Sequence, residues 1–275
     1  MSKQSNNPSF DLENISMSKL KMYISDIDEA EYKRIRPVLE ADSRKSVQAI
    51  LKSKDRQIDK QKQEAARMIS MFSYEDDARK KGFNCIVGID EAGRGPLVGD
   101  VVAAVAMIDP AGDWFGIDDS KKLSEKQRNY FYEKIIRESI CYGVGVASNE
   151  EIDEINILNA TKLAMKRALT DAAKMHPIDY MLIDAVKLDD IDIKQLSLVK
   201  GDQKSASIAA ASILAKVTRD KMMTILHETY PQYNFDQNKG YGTQQHYDAL
   251  NLYGETPKHR QSFLVKWHAQ RNDKI

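Results

Sequence analysis

The residues with the clearest chemical potential are acidic side chains that follow short apolar segments. Asp90 and Glu91 end the segment IVGIDE, Asp184 ends MLID, and Asp202 follows LSLVKG. A lone acid at such a place usually forms a turn or a helix cap, but several such strand ends in one chain suggest a common site. In an α/β sheet, strand ends meet at one edge, where loops form a ligand crevice. We therefore expect these four carboxylates to converge.

Carboxylates that meet in this way repel one another, so a cluster of them is favoured when cations bind it. An all-oxygen set suits Mg²⁺ or Mn²⁺, whereas the chain has neither an HExxH nor a CxxC motif for zinc. Two such ions about 3.5–4 Å apart stabilise the attacking and leaving oxygens of a phosphodiester. The sequence thus predicts phosphoryl transfer or hydrolysis with two Mg²⁺ or Mn²⁺ ions. No GxSxG motif supports a serine nucleophile.

A glycine-containing turn comes directly after the first acid pair. Gly93, Arg94 and Gly95 precede Pro96, which stiffens the exit from the turn. Glycines allow a backbone to approach a ligand closely, although an ordinary tight turn also explains the pattern. A sugar beside this backbone would offer its 2′-hydroxyl as donor and acceptor, which is one way to distinguish RNA from DNA.

These side chains need a sheet to position them, and the sequence predicts one from residue 84 onward. Segments rich in Val, Ile, Leu and aromatic residues predict strands over 85–90, 100–108, 141–148, 180–185 and 196–202. The first two strands are joined by a loop too short for a crossover helix, so they should pair antiparallel. Capping-box patterns at Ser124 and Ser148, with long helices over about 156–174 and 205–227, complete an α/β domain with a mixed sheet.

The first 80 residues differ from the rest, because they contain no glycine and carry alternating charges with sparse apolar residues. An apolar stripe from Asp42 to Phe72 predicts a long helix, and Pro37 is expected to separate it from an earlier one. We predict a helical N-terminal extension over residues 1–80 and a catalytic domain over residues 81–275, with a helical C-terminal segment from about residue 228. The extension is either a solvated arm on the main domain or a surface for substrate or a partner.

Composition restricts the class of protein. The chain has 275 residues, 42% hydrophobic and 30% charged, as in globular proteins, and its apolar runs are too short to span a membrane. It lacks a secretory signal, so we expect a cytoplasmic protein without a membrane partner. The zero net charge neither supports nor excludes nucleic-acid binding. Cys85 and Cys141 are expected to be buried thiols rather than a disulfide, and a monomer is expected because no dimer seam is evident.

Several ordered motifs together resemble the ribonuclease HII family over roughly residues 84–270. They are GIDEAGRGPLVGDVVAA from Gly88, DDSKKLS (118–124), MLIDA (181–185), KGDQKSASIAAASILAKVTRD (200–220) and NKGYGT (238–243). The resemblance implies a ribonuclease-H-like fold and metal-dependent cleavage of the RNA strand of RNA–DNA hybrids. It also implies incision 5′ of single ribonucleotides embedded in duplex DNA, leaving 3′-hydroxyl and 5′-phosphate ends. It leaves protein partners unspecified.

The resemblance also implies roles for individual residues. The metal-binding catalytic acids would be Asp90, Glu91, Asp184 and Asp202. The Gly93–Arg94–Gly95 turn and Tyr241 would sense the 2′-hydroxyl at the RNA-to-DNA junction. Phosphate contacts are implied for Ser120 and Lys121, although a solvated helix start explains these two nearly as well, and further phosphate contacts are suggested at Lys204, Lys239 and Thr243.

Two other functions remain compatible with the same motifs. One is a ribonuclease H that prefers long hybrids, and the other is a protein that binds hybrids without cutting them. The position of the Tyr241 motif beside an intact glycine turn favours cleavage at single ribonucleotides.

Overall fold

A computed structural model of the chain describes residues 15–272, with side chains as far as residue 269. The chain divides after Arg67 into two compact units. Among the described residues, the helices are α1 (Met17–Asp26), α2 (Glu29–Glu40), α3 (Lys45–Met71), α4 (Ser73–Lys80), α5 (Glu125–Glu138), α6 (Asn149–Ala172), α7 (Ala206–Thr229), α8 (Phe235–Asn238), α9 (Gln244–Tyr253) and α10 (Gln261–Asn272). The strands are β1 (Ile86–Ala92), β2 (Val101–Met107), β3 (Cys141–Ala147), β4 (Tyr180–Asp184) and β5 (Lys194–Leu198).

The five strands described form one mixed sheet in the order β3-β2-β1-β4-β5. β1 pairs antiparallel with β2, as the short loop predicts, and β2 pairs antiparallel with β3. On the other side of β1, β4 pairs parallel with β1, and β5 pairs parallel with β4. The chain returns from β4 to β5 through the loop of residues 185–193. The predicted α/β fold is therefore confirmed, and β1 lies at the centre with β4 beside it.

The two faces of the sheet are covered by different helices because side chains alternate along each strand. Val87 and Ile89 of β1 pack in the same apolar cluster as α6. The intervening Gly88 faces α7 so closely that an added Cβ would lie 2.0 Å from the carbonyl carbon of Ser207. On β3, an added Cβ at Gly145 would lie 2.0 Å from the carbonyl oxygen of Ala164 in α6. The helices thus rest directly on the strand backbones.

Both capping boxes predicted from sequence are present. Ser124 accepts a hydrogen bond from the backbone N–H of Gln127, and Ser148 accepts one from Glu151, while each partner side chain returns a bond to the cap. The helix that Ser148 caps, α6, begins at residue 149, before the predicted start near 156. Asn156 lies inside it with a φ of 65°, which kinks α6 at the position where the sequence suggested a beginning.

The unit that ends at Arg67 has its own apolar core, in which Leu20, Tyr32 and Leu51 are buried. The prediction that Pro37 separates two helices is wrong, because Pro37 lies inside α2 (Glu29–Glu40). It occupies the last turn, where the missing N–H costs one bond to a preceding turn and the helix ends soon afterwards.

Two further expectations concern the cysteines and the membrane. Cys85 and Cys141 are both free thiols, as expected, but Cys85 is only half-buried. None of the helices within residues 15–272 combines the length and the apolarity needed to cross a membrane. The predicted domain boundary at residue 80 stays a prediction.

Candidate active site

The four acids come from adjoining elements at one edge of the sheet. Asp90 and Glu91 lie near the end of β1, and Asp184 is the last residue of β4. Ile89 is paired with Ile183 across these parallel strands, which sets Asp90 and Asp184 beside each other. Asp202 lies in a short 3₁₀ turn just before α7.

Backbone amides fix the orientation of two of these carboxylates. Asp184 accepts a hydrogen bond from the N–H of Gly201 at 2.7 Å, which ties the end of β4 to the turn that carries Asp202. Asp90 accepts from the N–H of Glu91, also at 2.7 Å. In both residues it is Oδ1 that accepts the hydrogen bond from the backbone.

The acids perturb one another. Burial and then the charge of Glu91 raise the pKa of Asp90 well above its usual range, and Asp184 adds to the shift. Burial likewise raises the pKa of Glu91, against an opposing effect of Arg94. Burial, Asp119 and Asp184 raise the pKa of Asp202 to about 6. Such mutual repulsion is what a bound cation would relieve.

The donor chemistry of the cluster fits a hard divalent cation. Glu91 Oε2 is buried without a hydrogen-bond partner, although Glu91 Oε1 lies 3.4 Å from an Arg94 nitrogen. A second cation near the cluster is Lys121, whose Nζ lies 4.0 Å from Asp202 Oδ2. Within residues 15–269, however, no three Asp, Glu, His or Cys side chains are arranged so that they could hold a metal ion as they stand. The acidic side chains thus have the donor type and the location that a divalent cation needs, but they are not arranged as a complete coordination shell.

A groove of about 300 Å³ joins Glu91 to the glycine turn. Gly93, Arg94 and Gly95 line it together with Lys121 and Tyr241. Gly93 has a φ of 97°, which favours glycine, and an added Cβ there would lie 2.1 Å from Arg219 Nε. At Gly95 an added Cβ would lie 3.4 Å from the Tyr241 ring. The predicted ribose-sensing turn and Tyr241 therefore face the same groove as an acid of the cluster.

Two buried arginines support the turn and the segment that follows it. Arg260 donates to the carbonyl oxygens of Gly93 at 2.7 Å, Pro96 at 2.8 Å and Arg94 at 3.1 Å. Arg219 donates to Val98 and Asp100 at 3.2 and 3.1 Å. Because these carbonyl groups are satisfied from inside the protein, the turn is held without help from a ligand.

The remaining predicted contacts lie in different environments. Lys121 is exposed in the groove, but Ser120 is almost fully buried and its hydroxyl lies 3.0 Å from that of Ser212. Thr243 caps α9 by accepting from the N–H of His246. Lys204 is exposed next to the Asp202 turn, and Lys239 lines a second polar cavity on the side of α7.

Sequence reasoning missed several residues that the structure brings to the site. Asp119 is buried beside Asp202, and Ser212 hydrogen-bonds Asp90. Glu75 of α4 is buried, and its Oε1 accepts from Ser205 Oγ at 2.7 Å. Asp119 and Ser212 occur within motifs already noted, but Glu75 carries no sequence signal.

Comparison with known proteins agrees with this architecture. A family model described as Ribonuclease HII matches residues 87–270, and one described as Ribonuclease HII N-terminal domain matches residues 16–79. The protein named Ribonuclease HII in Clostridioides difficile (strain 630) is 47% identical over 249 residues, or 90% of this chain and 97% of that protein.

Solved structures show a similar fold. The ribonuclease H2 of Pyrococcus horikoshii OT3 is 25% identical, with a TM-score of 0.56 over 70% of this chain and 100% of that one. Bst-RNase HIII, solved in complex with Mn²⁺, is 20% identical, with a TM-score of 0.54 over 69% of this chain and 70% of that one.

The mixed sheet and its flanking helices are those of a ribonuclease-H-like α/β protein. The chain belongs to the ribonuclease HII family. It is an endonuclease of the ribonuclease H type, in a family that depends on divalent metal ions.

Proposed function

We propose that this enzyme cleaves the RNA strand of RNA–DNA hybrids and incises duplex DNA on the 5′ side of single embedded ribonucleotides, leaving 3′-hydroxyl and 5′-phosphate ends. The observation that supports this most is the groove shared by Glu91, the Gly93–Arg94–Gly95 turn and Tyr241. A backbone turn that reads a sugar and an acid that acts on the adjoining phosphate need this proximity.

In this proposal Asp90, Glu91, Asp184 and Asp202 hold two divalent cations, either Mg²⁺ or Mn²⁺. When bound, such ions polarise the phosphate and lower the pKa of the attacking water. The free Oε2 of Glu91 and the mutual repulsion of the acids support the assignment.

The protein side chains perform the rest of the work. The backbone bonds to Asp90 and Asp184 hold those carboxylates in fixed orientations, which lowers the cost of ordering the site. Lys121 and Arg94 bring positive charge to a groove that must accept a phosphate. The turn presents its backbone to the ribose, and Tyr241 offers a ring on which the sugar and base of the junction pack.

Contacts to more distant phosphates are proposed for Lys204, Lys239 and Thr243, and for Ser120 in a supporting role. The burial of Ser120 and its contact with Ser212 favour an effect through the Asp90 environment rather than direct exposure to the duplex. The same proposal includes three further points. The chain has a helical extension over residues 1–80, it is a monomer, and it is located in the cytoplasm.

The test compares a duplex that contains one ribonucleotide with a uniform RNA–DNA hybrid, each with Mg²⁺, Mn²⁺ or a chelator. We expect a single cut 5′ of the ribonucleotide, several cuts in the hybrid and none with chelator. Cutting of the hybrid alone would instead identify an enzyme for long hybrids.

Substitutions identify the acids that act. Asp90→Asn and Asp184→Asn should each keep the fold, since an amide oxygen still accepts the backbone bond, and should abolish cleavage. The exposed Asp192, on the loop before β5, offers a matched control as Asp192→Asn. A wild-type rate in either site variant would contradict the proposal.

A further inference from the structure

We infer that His246 and His259 are positioning residues that fix Tyr241 through a relay of hydrogen bonds with one arrangement of protons. The relay runs from Thr256 through His259 and His246 to the carbonyl oxygen of Tyr241. The inference rests on the proposed function, in which Tyr241 contacts the ribonucleotide.

The two ends of the relay define the protonation of each ring. At one end, the backbone N–H of Thr256 donates to His259 Nδ1 at 2.8 Å, so this nitrogen carries no proton. At the other end, His246 Nδ1 lies 3.0 Å from the carbonyl oxygen of Tyr241, which only accepts, so this nitrogen carries a proton.

The contact between the rings is consistent with these assignments. The Nε2 atoms of His246 and His259 lie 3.0 Å apart, a distance that requires one donor and one acceptor. A neutral imidazole has one ring proton. In His259 that proton is therefore on Nε2, and in His246 it is on Nδ1, so that His246 Nε2 is an acceptor. The two ends therefore supply a single proton for the central contact, donated by His259.

The surroundings keep both rings neutral. His246 and His259 are 0% and 1% exposed. The aromatic rings of Tyr233 and Phe235 pack around them, with centroids 5.2 Å from each other and 5.4 Å from the nearer histidine in each case. Burial lowers the pKa of both histidines, and the neighbouring His246 helps to lower that of His259 to about 4.

The relay ends where the groove begins. Tyr241 directs a half-exposed side chain into the groove while its carbonyl is held by His246 from inside. The preceding Gly240 accepts from the N–H of Leu97, which joins the same loop to the segment after the glycine turn. Next to His259 in sequence, Arg260 holds the turn itself. Adjacent residues of one C-terminal segment thus brace both parts of the ribose-contacting surface.

The first experiment measures the protons directly by ¹⁵N NMR of the full-length, metal-free protein labelled at histidine, near pH 7.5. We expect one buried ring protonated at Nδ1 and the other at Nε2, with assignments from single substitutions. Two rings of the same tautomer, or a charged ring in the pair, would overturn the inference. This readout does not depend on cleavage, so it is separable from failure of the proposed function.

The second experiment measures kcat and KM of variants on both substrates. His246→Phe removes the donor to Tyr241, and we expect kcat/KM on the single-ribonucleotide duplex to fall about tenfold with a smaller loss on the uniform hybrid. His246→Asn places an amide N–H near the position of Nδ1 and should recover most of the loss. His176→Asn, at a half-buried histidine in the loop before β4, is the control.

Two results from these variants would overturn the positioning role. One is unchanged selectivity between the substrates in a folded His246→Phe protein, and the other is an equal loss in His246→Asn and His246→Phe. If His246→Phe fails to fold, His259→Gln provides the comparison, because its amide N–H replaces the Nε2 donor. A relay that positions Tyr241 predicts near wild-type selectivity for His259→Gln, and a loss as large as that of a Tyr241→Ala variant would contradict it.

Discussion

Neutralising Asp202 should make the metal-free protein more stable while it destroys activity. The pKa of this carboxyl is raised from 3.8 to about 6, first by burial and then by Asp119 and Asp184. An acid whose pKa is raised in the folded state binds more protons when folded, so the native state loses stability as the pH rises from about 4 to above 6. At pH 8 the charged carboxylate therefore opposes folding, and Asp202→Asn removes that charge.

The magnitude follows from the shift. About two pKa units correspond to roughly 3 kcal/mol. Asp202 is almost fully buried, and the asparagine amide that replaces it is still a buried polar group, which offsets the gain to about 1–1.5 kcal/mol. For a folded unit of this size, that is a rise in Tm of about 2–6 °C. Near pH 4 the wild-type carboxyl is protonated, so the two proteins should melt together.

The assay is thermal unfolding in chelator between pH 4 and pH 8.5, with Asp192→Asn as a control that should follow the wild type at every pH. Adding Mg²⁺ should raise the Tm of the wild type more than that of Asp202→Asn, because bound cations relieve the same repulsion. A variant less stable than the wild type at pH 8 in chelator, or a difference independent of pH, would refute the reasoning.

Other substitutions test the supports of the site. Glu75→Ala should lower the free energy of unfolding by about 2–4 kcal/mol, since it leaves the N–H of Ser207 and the hydroxyl of Ser205 buried without their acceptor. Glu75→Gln should lower this free energy by less, and urea unfolding of the two variants measures the difference. Gly88→Ala should cost about 3 kcal/mol or prevent folding, because the added methyl overlaps the backbone of α7; a native-like urea midpoint would contradict the close packing. Arg260→Lys should lower kcat/KM on the single-ribonucleotide duplex at least tenfold, since one amine replaces a planar fork that reaches several carbonyls; cleavage assays together with melting curves separate this effect from loss of fold.

The sheet and the convergence of its acids could be predicted because both depend on local patterns. β-branched runs identify strands, and an acid at the end of a strand can go to few places once the topology is known. The turn at Gly93 was evident for the same reason, since glycines next to an acid pair are unusual without a backbone requirement. Motif order along the chain then indicated the family.

The supports of the site could not be predicted, because they join residues that are distant in sequence. His246 and His259 look like scattered histidines, and Arg260 resembles any surface cation in a polar C-terminal segment. Their roles depend on which carbonyl groups the fold turns toward them, and composition carries no information on that. Pro37 is a different kind of error, because a local rule was applied too strictly. Proline was expected to separate two helices, but it is tolerated in the last turn of α2.

The contact between Gly145 and α6 has a consequence for how this molecule can change. With a helix carbonyl lying where a methyl group would be, that face of the sheet has no spare volume, and even the smallest enlargement must push the two layers apart. New substrate preferences would then have to arise from insertions or exchanges in the loops around the groove. The sheet is therefore the rigid part of the enzyme, and the loops at the edge that carries the groove are the part that can vary.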